Sequence, residues 1–189
     1  SAAAPPARAS RRTTVFAGTG LVLAAFAVYA NSFSGPFIFD DLLSIPQNPT
    51  IRSLLTSLVP PGGGLTVTGR PLLNLSFALN YGLSGDHVWS YHALNLLIHL
   101  LAGLTLFGIV RRTLAGPGAS SRKPVAPSSL LPKSETTFVA FAVALLWTLH
   151  PLQTESVTYI VQRAESLMGL FYLLTLYCFI RGAELSHFG

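Results

Sequence analysis

The sequence predicts an all-α, multi-pass integral membrane protein, with four transmembrane helices plus interfacial helices in the first outer loop. Three observations carry this. Half of the 189 residues are hydrophobic and only 10% are charged, whereas soluble domains carry roughly 25%. Four apolar segments alternate with polar or Pro/Gly-rich stretches, and Lys and Arg gather beside every second boundary. The net charge of +5 therefore signals topology, and no nucleic-acid partner is expected. The single cysteine, Cys178, lies in an apolar run, which excludes an intramolecular disulfide and a Cys-based metal site.

A short tail (1–12) leads into the first span, 13–32, whose 20 residues reach roughly 30 Å as a helix. The second span, 88–110, has 23 residues and ends on Arg111-Arg112. The third (136–149) and fourth (166–180) have 14 and 15 residues, only about 21 to 23 Å as helices. With a cytoplasmic N-terminus, the inner segments (1–12, 111–135 and 181–189) carry Arg8, Arg11, Arg12, Arg111, Arg112, Arg122, Lys123, Lys133 and Arg181. The outer segments (33–87 and 150–165) carry Arg52, Arg70 and Arg163. A nine-to-three split fixes the expected orientation and puts Asp40-Asp41 on the periplasmic or lumenal side. A signal peptide cleaved after Ala30 is the competing interpretation of the first segment.

The 111–135 stretch is basic and rich in Pro, Ser and Gly, and reads as a flexible cytoplasmic loop. The outer loop contains "IRSLLTSLV" and "RPLLNLSFALNYGL", separated by "PPGGG". In the second, Leu72, Leu75, Leu79 and Leu83 recur at helical spacing behind Pro71. Both are expected as short helices lying along the outer membrane surface. Asn74-Leu75-Ser76 fits a glycosylation acceptor pattern, but a place in an interfacial helix argues against its use.

Polar residues inside apolar helices are costly and so informative. His92, Asn95 and His99 fall at i, i+3 and i+7, on one face of the second span. They serve either as hydrogen-bonding glue between helices or as the lining of a polar cavity. Metal binding by the two histidines needs a third ligand, and neither metal nor cofactor is expected. The third span stops at His150-Pro151. Beyond it, Glu155, Tyr159 and Gln162 share the face of an expected polar helix over 150–165, with Arg163 a turn beyond Tyr159. A solvated exterior hairpin is the plainer alternative.

Four stretches in order, "FIFDDLLSIPQNPTI", "TGRPLLNLSFALNYGL", "YHALNLLIHLLAGL" and "LHPLQTESVTYIVQRAESL", carry a resemblance. Together they resemble the N-terminal membrane region of the transmembrane and tetratricopeptide-repeat O-mannosyltransferases and bacterial multi-pass relatives, which are GT-C-type glycosyltransferases. The resemblance covers roughly 37–181, without the basic loop. It implies transfer, retaining or inverting, from a polyprenyl-phosphate sugar to a hydroxyl of an exported protein. The membrane would be the bacterial inner membrane or the endoplasmic reticulum. The acidic residue of the first outer loop falls on Asp40 and Asp41, with Asp40 slightly ahead, as the group that deprotonates or orients the acceptor. Arg70 and Arg163 are the expected contacts of the departing phosphate. His150, Glu155 and the His92-Asn95-His99 face complete the expected cavity.

Without an initial methionine or tetratricopeptide repeats, the chain reads as the N-terminal part of a longer enzyme. The alternative is a non-catalytic membrane anchor or scaffold for a C-terminal tetratricopeptide-repeat domain, and a transporter fragment is third. The topology predicts that cysteines introduced singly at Ser44 and Ser121 label from opposite sides of the membrane. Labelling from one side rejects it.

Overall fold

A computed structural model describes residues 7–115 and 132–186 of the chain. The centre of the basic loop, with Arg122 and Lys123, lies outside the described residues. The elements are α1 (Ala7–Tyr29), α2 (Asp40–Ser44), α3 (Pro71–Ser84), α4 (Trp89–Ala115), α5 (Lys133–Thr148), α6 (Thr154–Thr158) and α7 (Arg163–Ser186). Short 3-10 turns join them, and no strand occurs among the described residues. Three segments are long and apolar enough to cross a membrane: Arg11–Ser34, Trp89–Ala115 and Ile160–Glu184. A fourth is obtained if Ser134–Thr148 and Pro151–Thr158 count as one broken span. The protein is an all-α, multi-pass membrane protein.

Three expectations about local structure change. "IRSLLTSLV" forms two 3-10 turns, Pro49–Arg52 and Thr56–Leu58, and no α-helix. The polar stretch 150–165 is not one helix: α6 ends at Thr158, Tyr159 is extended (φ −94°, ψ 111°), and a 3-10 turn over Ile160–Gln162 leads into α7. Glu155, Tyr159 and Gln162 therefore do not share a helical face. α7 is also longer than the expected 166–180, because its polar first turn and the residues from Arg181 to Ser186 are helical too.

The chain divides into two compact units. One comprises 1–25, 100–150 and 171–189; the other comprises 26–99 and 151–170. The core of the first is Leu21, Phe107, Ala140 and Ala144, with Ala17, Leu104, Val110, Phe141 and Leu145 packed around it. Its helices meet at small residues. A Cβ on Gly103 would stand 2.5 Å from Thr148 Oγ1, and one on Gly108 would stand 2.9 Å from the Tyr177 ring. Close approach at glycine is the ordinary means of packing helices in lipid, where apolar burial alone drives little association.

The second unit is built on α3. Pro71 opens this helix at a position where its missing N–H costs nothing. Gly85 closes it in a positive-φ conformation (60°), its N–H donating to Tyr81 O at 2.7 Å. The leucine stripe faces outward: Leu72, Leu79 and Leu83 are exposed. The opposite face, Leu73, Asn74, Phe77, Ala78 and Asn80, is buried. An apolar exposed face over a polar-bearing buried one is what a helix lying against lipid requires. Asn48 and Asn74 tie the preceding loop to it. Asn48 Nδ2 donates to Asn74 Oδ1 (2.8 Å) and Ser44 O (3.0 Å), while Asn74 Nδ2 donates to Thr50 Oγ1 and Ser57 O, both at 2.8 Å. Asn74 is thus wholly buried and engaged, which removes it as a glycosylation acceptor.

Two predictions follow from the packing. Gly108→Ala should cost about 1–3 kcal/mol by overpacking against Tyr177. Gly18→Ala, whose Cβ would meet Leu104 at an ordinary 3.7 Å, should be nearly neutral; thermal unfolding in detergent compares them. Ser44 is also wholly buried, so exposed Leu55 is the better cysteine site for loop labelling. The background should be Cys178→Ser, because Cys178 is exposed.

Candidate active site

The two neighbouring aspartates are placed differently. Asp41 is 1% exposed, and both of its carboxylate oxygens are occupied. Oδ1 accepts the N–H of Val161 at 2.8 Å, and Oδ2 accepts the N–H of Ile38 at 3.2 Å. Burial pushes its carboxyl up from the ordinary value, against those two N–H donors and the charges of His92 and Arg163. Asp41 therefore clips the loop after α1 onto the break before α7. Asp40 is exposed, and its carboxylate has no hydrogen bond or ion pair among the described residues. Its backbone N–H donates to the Tyr159 hydroxyl oxygen at 3.2 Å. Phe39, just before it, holds φ 45° and ψ −117°, a conformation that costs a non-glycine residue about 1–3 kcal/mol.

Arg163, at the first position of α7, is fully buried. Nε donates to Asn95 Oδ1 (2.7 Å), Nη1 to Asn80 Oδ1 (2.7 Å) and Ser76 Oγ (3.1 Å), and Nη2 to Tyr91 O (2.9 Å). Its guanidinium carbon lies 4.6 Å from the Phe77 ring centroid, a distance at which the ring face attracts a cation. Every one of these direct acceptors is neutral. A buried cation held this way depends on the completeness of its hydrogen bonding.

The histidine and asparagine face of α4 points into protein. Asn95 Nδ2 reaches the carbonyls of Ile160 (3.2 Å), Tyr159 (3.4 Å) and Val157 (3.5 Å), while its Oδ1 holds Arg163. One amide thereby serves both the break before α7 and the cation beyond it. His92 Nε2 pairs with Gly35 O at 2.9 Å, and its Nδ1 is buried with no partner in the structure. Its ring sits where a Cβ on Gly35 would come within 3.4 Å, so glycine permits the contact. His99 is buried edge-on against Tyr29, ring centroids 5.7 Å apart. All three side chains of this stripe contact protein groups.

The remaining candidates are not bonded to this network among the described residues. Arg70 is exposed, with Nη1 donating to Thr66 O at 3.2 Å, and Glu155 is exposed. Arg52 is engaged with Asp86 (3.3 Å) and stacked 3.9 Å from the Tyr81 ring centroid. His150 belongs to the other compact unit. Among the described residues no three potential metal ligands come together. Sequence reasoning missed Asn80, Ser76 and the Tyr91 carbonyl as partners of Arg163. The signal was available for the first: removing the leucine stripe from α3 leaves Asn74, Phe77 and Asn80 on the opposite face.

Fold and centre define the class: a polytopic helical membrane protein in which a loop after the first span displays one free carboxylate over a buried polar network. No family model matches the sequence, and no solved structure matches it. Curated relatives do. The chain is 33% identical over 168 residues to Protein O-mannosyl-transferase TMTC2 of Homo sapiens, covering 82% of this chain and 17% of the relative. It is 31% identical over 163 residues to Protein O-mannosyl-transferase Tmtc3 of Drosophila melanogaster (81% and 18%). It is 31% identical over 192 residues to Protein O-mannosyl-transferase TMTC1 of Mus musculus (95% and 18%). The chain belongs to this transmembrane and tetratricopeptide-repeat O-mannosyltransferase family, and it spans less than a fifth of the length of these relatives.

The network predicts a stability hierarchy. Arg163→Met leaves four acceptors, three of them buried, to find new partners, and Asn95→Leu orphans Arg163 Nε and the carbonyls at the break. Each should cost more than about 3 kcal/mol, or roughly 6–12 °C in thermal unfolding. Asp40→Asn should change the midpoint by less than about 2 °C.

Proposed function

We propose that this chain forms part of a membrane glycosyltransferase that moves a mannosyl unit from a polyprenyl-phosphate carrier to a protein hydroxyl. The observation that carries the proposal is the division of labour between Asp40 and Asp41. Asp40 offers an unengaged carboxylate, while Asp41, with both oxygens satisfied, holds the loop that presents it. An acceptor serine or threonine hydroxyl is a weak nucleophile, and a positioned carboxylate accepts its proton as the oxygen attacks the anomeric carbon. The bond from that carbon to the phosphate oxygen breaks, and the electron pair leaves on the polyprenyl phosphate. Relatives named as protein O-mannosyl-transferases support the sugar and the class of acceptor.

Departing phosphate needs a cation, and exposed Arg70 is the better placed of the two expected arginines. Arg163 acts through position: it fixes α3, α4 and the start of α7 around the loop, and four of its five N–H donors are already taken. His92, Asn95 and His99 belong to the same supporting set. Exposed Glu155 remains a candidate substrate contact. The nine-to-three distribution of Lys and Arg supports placing the Asp40 loop on the periplasmic or lumenal side. Partners on this reading are the lipid-linked donor and an exported acceptor protein.

A second reading has its own support. Apart from the free carboxylates and Arg70, the polar groups of this unit mostly bond to protein, as in a non-catalytic anchor for a C-terminal repeat domain. In the full-length protein, Asp40→Asn should abolish mannosyl transfer without changing expression or unfolding temperature. Asp41→Asn should lower the unfolding temperature, and transfer along with it. Full transfer by Asp40→Asn would reject the catalytic assignment and leave the anchor.

A further inference from the structure

A groove of about 420 Å³ at the start of α1 is lined by Arg11, Arg12, Val15 and Phe16. Both arginines are exposed, and neither makes a hydrogen bond or ion pair among the described residues. Val15 and Phe16 are exposed as well. Among the described residues the lining thus pairs two cationic side chains with two apolar ones. The groove also sits at a boundary, because the membrane-competent segment of α1 begins at Arg11.

Other charges gather at this end of the same compact unit. A Cβ on Gly103 would lie 3.5 Å from Leu21 and one on Gly18 3.7 Å from Leu104, contacts that descend α1 as they climb α4, as in an antiparallel pair. Nine residues back from Leu21 is Arg12; nine residues on from Gly103 is Arg112. Helix rise carries the two by equal distances toward the same end. Arg112 pairs there through Nη1 with Glu184 at 2.8 Å, a carboxylate that Arg181 shares at 3.3 Å. Arg111 keeps a buried Nε without a partner. Unlike Arg112 and Arg181, Arg11 and Arg12 have no carboxylate in contact among the described residues.

We propose that this groove binds the phosphate headgroup of an anionic phospholipid, with Arg11 and Arg12 on the phosphate and Val15 and Phe16 against the acyl chains. A guanidinium fork matches phosphate oxygens geometrically and loses less in dehydration than an ammonium. A soluble anion would use only half of the lining, whereas a phospholipid uses both. The site lies on α1 in the unit that does not contain Asp40, so it is independent of the proposed transfer reaction.

The test is native mass spectrometry of the full-length protein from nanodiscs of phosphatidylcholine containing phosphatidylglycerol. Arg11→Ala/Arg12→Ala should retain less phosphatidylglycerol, by about fivefold per arginine. Arg181→Ala, which removes a charge from the same end outside the groove, should retain it as wild type does. Arg11→Lys/Arg12→Lys keeps the charges that orient insertion, and it should still lose affinity because the forked contacts are gone. Equal losses in the Arg181 and Arg11/Arg12 alanine variants would reduce the site to diffuse charge and overturn the proposal. Displacement of the lipid by millimolar inorganic phosphate would overturn it too, by assigning the groove to a free anion.

Discussion

A buried guanidinium without a carboxylate in contact is the constraint around which this polar unit is organised. Arg163 stands at the start of α7, where the helix dipole is unfavourable to a cation. Water does not reach it, so protein carbonyl and hydroxyl oxygens have to serve in its place. They come from Ser76 and Asn80 of α3 and from Tyr91 and Asn95 of α4. The same asparagine that accepts from Arg163 also donates to the carbonyls left open where the chain breaks at Tyr159. Asp41 supplies the complementary anion, accepting the Val161 N–H just ahead of the helix, which the helix dipole favours. Cation and anion thus both fasten the chain just beyond the break, and Asn95 reaches across it to the Val157 and Ile160 carbonyls.

That arrangement explains why two consecutive aspartates do different work. Side chains on adjacent residues of a short helix point in different directions, so only one can reach Val161. The carboxylate turned inward loses its solvent and gains two N–H donors. The carboxylate turned outward keeps its reactivity. Tyr159, whose hydroxyl accepts from the Asp40 N–H, links the free aspartate to the break that Asn95 and Asp41 stabilise. Geometry at Asp40 is therefore set by residues that need never touch a substrate.

Much of the fold was legible because apolar length and basic flanks are one-dimensional signals. The first two spans, the polar face of α4, the stop at His150-Pro151 and the start of α3 at Pro71 all follow from local chemistry. The break at Tyr159 was not legible, since "TESVTYIVQR" has neither proline nor glycine and carries a helical period. Tertiary hydrogen bonds from Asn95 and Asp41 make that break, and their partners lie more than sixty residues away. The leucine stripe of α3 misleads for a related reason: beside a bilayer, the apolar face turns outward and the asparagines go inside. At the candidate site, sequence singled out the aspartate pair and Arg163. It could not say which aspartate was free, or that Arg163 was enclosed, because both depend on contacts across the chain.

The most direct measurement is carbodiimide labelling of carboxylates in the folded, membrane-embedded protein, read residue by residue by mass spectrometry. Asp40 should be modified rapidly, with Asp41 protected until the protein is denatured. Modification of Asp41 at the rate of Asp40 would contradict this, because a carboxylate clipping Val161 and Ile38 in a closed interior cannot react like one in solvent.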